Sequence, residues 1–221
     1  MLTLQKVKQN QDIKALVLAS NHYLDALGYT DHGPRHLSYV SRTAASVLKS
    51  LGYSDCEVEL AAIAGWVHDV GNSINRHNHG PNGAILLFSI FKETEMSIHD
   101  IMEITTAVGN HEEEIGTVSS SISAALVLGD KSDAHKSRVR NGRPDPDDVH
   151  DRVNFSIQQN QVSVDRENKQ IRQALIMDAT SSVLEYMSIY LPRIIMCEKA
   201  AKFLGQSFDL VINGSPINNR L

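Results

Sequence analysis

Six residues of this chain could together hold divalent metal: His36, His68, Asp69, His79, His111 and Asp130. Imidazole and carboxylate are the ligand set for Zn, Mn, Fe and similar ions, and two ions sharing a carboxylate need about this number of ligands. On its own, His36 on an apolar helix face reads as a satisfied core histidine. Six such residues, each at a helix end, on an apolar face or in an adjoining loop, read as a cage. Nine of the ten histidines lie between His22 and His135, which supports that reading. His77 is an alternative to His79, and Asp133 to Asp130. Lys131 adjoins Asp130 and could hold a substrate phosphate, with a solvated helix charge as an equal alternative. Arg138 and Arg140 read as surface residues.

Helices must position these groups. Residues 61–67 are apolar nearly all round, which is the pattern of a helix buried on every side. Ser54 and Glu57 open that helix as a capping box, and it ends at His68 and Asp69. A carboxylate there faces the negative end of the helix dipole, at a cost of roughly 0.3–1 kcal/mol, so Asp69 needs a positive partner. Spacing predicts earlier helices over 12–27 and 34–51, the second with Val40, Ala44, Val47 and Leu51 on one face and His36 four residues before it. Residues 72–83 read as a polar loop leading to a helix through Ala84, Leu87, Phe88 and Phe91. A helix from about Ser97 delivers His111, residues 112–114 read as loop, and a helix from about Ser121 carries its stripe on to Asp130.

The fold class expected is mainly α. A helical metal-binding bundle over 1–140 is followed by a linker over 141–150 and a small α+β unit over 151–221 with an antiparallel sheet. In that unit, 153–157 and 162–164 alternate like strands with a turn between them, 171–177 is a further strand, 181–204 is a helix kinked or broken at Pro192, and 208–212 is a last strand. A formal charge of −5 gives no general attraction to nucleic acid or anionic membrane. Cys56 and Cys197 read as buried free thiols, and no apolar run suits a signal core or a membrane span, so a cytoplasmic protein is expected. An exposed sheet edge would suit a homodimer.

The order His36, His68-Asp69, Asp130 on successive helices resembles the HD-domain superfamily of metal-dependent phosphohydrolases. The local contexts are similar too: 32–36 resembles its first motif, 64–71 its second, and 128–133 its last. Residues 79–84 and 110–112 resemble the added histidine motifs of its binuclear branch. The resemblance implies a first metal held by His36, His68, Asp69 and Asp130, and a second held by His79, His111 and a bridging Asp69. It implies one to two ions, from Mn, Fe, Co, Ni or Zn with Mg as a further option, and hydrolysis of a small phosphorylated substrate such as a nucleotide, with Asp69 as a catalytic group; Lys131, from its place beside Asp130, is a second catalytic candidate that would add one further positive contact. Asn110 stands where the cyclic-dinucleotide enzymes of that branch carry a second histidine, and their Gly-Tyr-Pro segment is replaced here by 112–117, which argues against that substrate. Two other functions fit the same ligand set, a di-iron oxygenase and a non-catalytic metal-binding sensor or interaction module.

Overall fold

A computed structural model of the chain describes residues 2–218. Nine α-helices, three short 3-10 turns and a four-stranded mixed sheet make up the regular structure among the described residues. The helices before the sheet are α1 (Leu4–Gln9), α2 (Gln11–Ala26), α3 (Pro34–Leu51), α4 (Asp55–Val67), α5 (His79–Phe91), α6 (Ile98–Gly109), α7 (Ser121–Lys131) and α8 (Val149–Ser156). The bundle is centred on α3, α4 and α7, which pack on one another. In α4, every side chain from Leu60 to Val67 is buried apart from Trp66, which is partly so. The capping box at Ser54 and Glu57 closes in both directions. Close approach of α3 and α4 depends on Gly65: a Cβ there would stand 2.7 Å from the Ser41 Cα and 2.8 Å from its nitrogen.

Several elements depart from the periodicity reading. A short α1, capped by the Thr3 side chain, precedes the helix read as the first. The segment 72–83 is not all loop, because α5 begins at His79 and carries Pro81 in its first turn, where no N–H is needed. Residues 153–156 are helical: Asp148 caps α8, and Val153 and Ile157, both buried, are four apart, a spacing as natural to a helix as to an alternating strand. No turn interrupts 158–161. One strand, β1 (Ile157–Asp165), runs through it and turns at 166–169, where Asp165 accepts from the Asn168 amide and Lys169 has a φ of 51°. The last helix, α9 (Val183–Phe203), continues unbroken through Pro192.

The sheet is mixed rather than antiparallel. Its order is β1, β2 (Gln170–Met177), β3 (Ser207–Ile212), β4 (Ser215–Pro216); β1–β2 and β3–β4 are antiparallel, and β2–β3 are parallel. A 21-residue helix between β2 and β3 carries the chain back to the starting end, which a short hairpin cannot do. One face of α9 packs on α7, so a single apolar core runs from α1 to β3. Cys197 is buried as expected, whereas Cys56 is exposed in the first turn of α4. No helix among the described residues is long and apolar enough to cross a membrane.

Candidate metal centre

Helix ends bring the six cage residues together. His36 stands in the first turn of α3, His68 caps α4 with Asp69 next to it, and His79 opens α5 after Asn78 in a left-handed conformation. His111 follows the C-terminus of α6, and Asp130 lies in the last turn of α7. Five of the six are buried, and Asp130 is half-buried. At Gly71 the backbone of α5 comes so near that a Cβ would stand 1.9 Å from the His79 carbonyl oxygen, and this close pass sets His79 beside Asp69.

The ligand atoms form two groups that share Asp69. His36 Nε2 and His68 Nε2 are 3.2 Å apart; each is 3.5 Å from Asp130 Oδ1, and they lie 3.6 and 3.5 Å from Asp69 Oδ2. Ligands about 2.1 Å from one ion stand roughly 3.0 Å apart at adjacent octahedral corners and about 3.4 Å at tetrahedral ones. On the other side of Asp69, His79 Nε2 is 3.0 Å from His111 Nε2, with Oδ1 of Asp69 at 3.4 and 4.0 Å from the two.

Hydrogen bonding behind the rings fixes which nitrogen faces inward. The Nδ1–H of His68 donates to the Gly65 carbonyl, that of His111 to the Val108 carbonyl, and that of His79 to the Arg76 carbonyl and the Glu112 carboxylate. Carbonyl oxygens only accept, so these rings carry a proton on Nδ1 and present Nε2 inward, as a lone pair whenever the ring is neutral. His36 Nδ1 meets the Asp133 carboxylate at 2.6 Å, to the same effect. Two pairs of inward lone pairs at about 3 Å repel each other unless positive charge lies between them. Asp69 Oδ2 points into the same space, buried and without a hydrogen-bond partner among the described residues. An orphaned carboxylate oxygen among imidazole lone pairs is a donor set that fits a divalent cation.

Electrostatics agree. Burial opposes ionisation of Asp69 and Asp130, yet His68 holds the Asp69 carboxyl well below the usual range, and Lys131 with His68 does the same for Asp130. Burial pushes the His79 ring down, but hydrogen bonds to Asp69 and Glu112 outweigh it and lift its pKa to about 9. In His68 burial is likewise outweighed by Asp69 and Asp130, whereas His111 is driven well below its ordinary value by burial and by the neighbouring His79. The carboxylates thus favour positive charge in each histidine pair, and a metal ion would supply it.

Asp130, not Asp133, faces the cage. Asp133 lies fully buried behind His36, paired with Arg35 through both carboxylate oxygens. His77 is exposed and outside the cage. Lys131 is buried, its ammonium 2.7 Å from Asp130 Oδ2 and 3.2 Å from Glu113 Oε2. Arg140 lies away from the cage against Asp25 and the Tyr29 carbonyl, but Arg138, read as a surface residue, is 3% exposed and lines the cage mouth. It donates to His32 Nε2 and to the Asp133 carbonyl. Arg76 and Arg193 line the same mouth, and periodicity had singled out neither. Arg193 follows Tyr186 and Tyr190 along α9 at spacings of four and three; a cation so near a buried aromatic stripe was its only sequence signal.

Residues 35–150 match the HD domain, and the chain belongs to that family. A curated relative, an uncharacterized protein from Methanocaldococcus jannaschii, is 26% identical over 155 residues. The match covers 60% of this chain and 59% of the relative, so the chain spans less than two thirds of that protein's length.

Proposed function

We propose that this chain is a metal-dependent phosphohydrolase acting on a small phosphate ester. His36, His68, Asp69 and Asp130 would hold one divalent ion, and Asp69 would be shared with a second on His79 and His111. Such ions, when bound, neutralise charge on phosphoryl oxygens and lower the pKa of water toward neutrality. The observation that carries the reading is Asp69, whose two oxygens face two separate histidine pairs while one has no other partner. Family membership and the ring of cations at the mouth, Arg76, Lys131, Arg138 and Arg193, support an anionic substrate.

The chain's own groups have distinct tasks. Asp133 turns His36 inward, and the backbone carbonyls do so for the other three rings. Lys131, read as either a phosphate contact or a solvated helix charge, is assigned to orienting Asp130, because its ammonium sits on Oδ2 and leaves Oδ1 toward His36 and His68. Asp69→Asn keeps the size of the side chain and removes the charge between the two groups. Phosphate release from a panel of phosphomonoesters, nucleotides and cyclic nucleotides, with Mn, Fe, Co or Mg added, should fall by at least about 10²-fold in that variant. Absence of turnover by metal-loaded wild type across the panel, together with iron-dependent oxygen uptake on an organic substrate, would replace this reading with an oxygenase.

A further inference from the structure

The mouth of the cage has a composition that says what can enter it. Every side chain lining it among the described residues is charged or an imidazole, with no aliphatic, Phe, Tyr or Trp side chain to receive a hydrocarbon. Its cations are unequally occupied. Lys131 is held between Asp130 and Glu113. Arg76 donates to the Asn72 side chain at 3.3 Å and lies over Tyr29 rather than on a carboxylate. Arg138 is buried and its Nε has no hydrogen-bond partner among the described residues. Arg193 comes from α9, beyond the segment that matches the family; its Nε lies 3.2 Å from Glu113 Oε1, and its guanidinium is set 4.8 Å over the Tyr190 ring.

We propose that this mouth is a subsite for the terminal phosphate dianion of a monoester, and that Arg193 is the residue that selects the dianion. The inference rests on the hydrolase reading and narrows its substrate. A terminal phosphate presents three oxygens and a charge of about −1.5 to −2 near neutral pH, which matches guanidinium groups converging from three separate segments. A diester carries a single charge and two carbon substituents, and would have to press one of them into a wall of charged groups. The remainder of a monoester lies outside this mouth. Arg193 exchanges its contact with Glu113 for phosphate oxygens, and its planar fork, fixed over Tyr190, suits two-point contact.

The test is equilibrium binding to the full-length, metal-loaded protein of phenylphosphonate, a non-hydrolysable dianion, and of its monomethyl ester, a monoanion. Wild type is expected to bind the dianion at least about 10-fold more tightly. Arg193→Gln should lose at least about 10-fold for the dianion and less than about 3-fold for the ester, with metal content unchanged and Arg193→Lys falling between. Equal binding of both probes by wild type overturns the inference, and so does an Arg193→Gln protein that matches wild type or weakens both probes alike. Should Arg193→Gln not fold, Arg193→Lys decides, and unchanged dianion affinity overturns the inference. Phosphate release without probe discrimination removes the subsite and leaves the hydrolase. Dianion selectivity without release of phosphate from any panel member removes the hydrolase and leaves an anion site.

Discussion

Replacing Asp133 by Asn tests the scaffold behind the cage without touching a cage residue. Asp133 Oδ2 receives the His36 Nδ1–H at 2.6 Å and also faces Arg35 and Arg138, while Oδ1 receives Arg35 at 3.1 Å. The carboxylate is fully buried, and these neighbours hold its pKa below the usual carboxylate range even though burial opposes ionisation. An amide places an N–H₂ against donors and removes the charge that offsets two guanidinium groups. Breaking a buried pair costs about 3–5 kcal/mol. The Arg35 side chain is 31% exposed and recovers part of its hydration, so roughly 2–4 kcal/mol is the reasonable range. In a chain of this size that corresponds to a fall in Tm on the order of 10 °C. Loss of the partner that orients the His36 ring, a proposed ligand, should also weaken metal binding by about 10- to 100-fold. Urea unfolding of the metal-free protein and metal titration of the folded variant measure the two effects. A stability change below about 0.5 kcal/mol, with metal affinity within a factor of about 2, would refute the role given to Asp133.

Two other outcomes follow from the packing. Gly65→Ala would drive a Cβ into the Ser41 backbone, which cannot rotate away; a loss of about 1–3 kcal/mol is expected, with reduced metal content because α3 carries His36, and wild-type stability in urea would contradict it. Glu185 caps α9 and pairs with Arg152 of α8, contacts that hold its pKa down to about 2. Because the folded value is depressed below the unfolded one of about 4.3, its contribution is present above that pH and is lost as pH falls toward 2. The Glu185 carboxyl should therefore titrate near 2 by NMR, and a midpoint near 4 would show that the cap and ion pair do not persist in solution.

The cage was largely legible in the sequence because ligands of these types at helix ends are hard to explain otherwise, and caps such as Ser54 with Glu57 fix those ends locally. Asp130 was preferred to Asp133 from the stripe of its helix and the family resemblance, but the task of Asp133 was not legible. Both lie at the end of α7 three residues apart, and only the turn after Ser132 sends one to the cage and the other behind His36. Arg138 looked like a surface charge because its partners, His32 and the Asp133 carbonyl, are fixed by tertiary packing rather than spacing. Arg193 escaped for a similar reason, since which side of α9 meets the cage depends on how that helix docks on α7. In the C-terminal unit, Val153 and Ile157 satisfy a period of two and a step of four alike, and the helical cap at Asp148 decided between them.

The central claim is that one carboxylate, Asp69, serves two metal positions. The most direct measurement is metal content per chain after stripping with chelator, reloading and gel filtration, for wild type, His79→Ala and Asp69→Ala. Wild type is expected to retain about two ions, His79→Ala about one, and Asp69→Ala almost none, each protein remaining folded by circular dichroism. A wild type that retains no metal, or an Asp69→Ala protein that keeps the wild-type content, would contradict it.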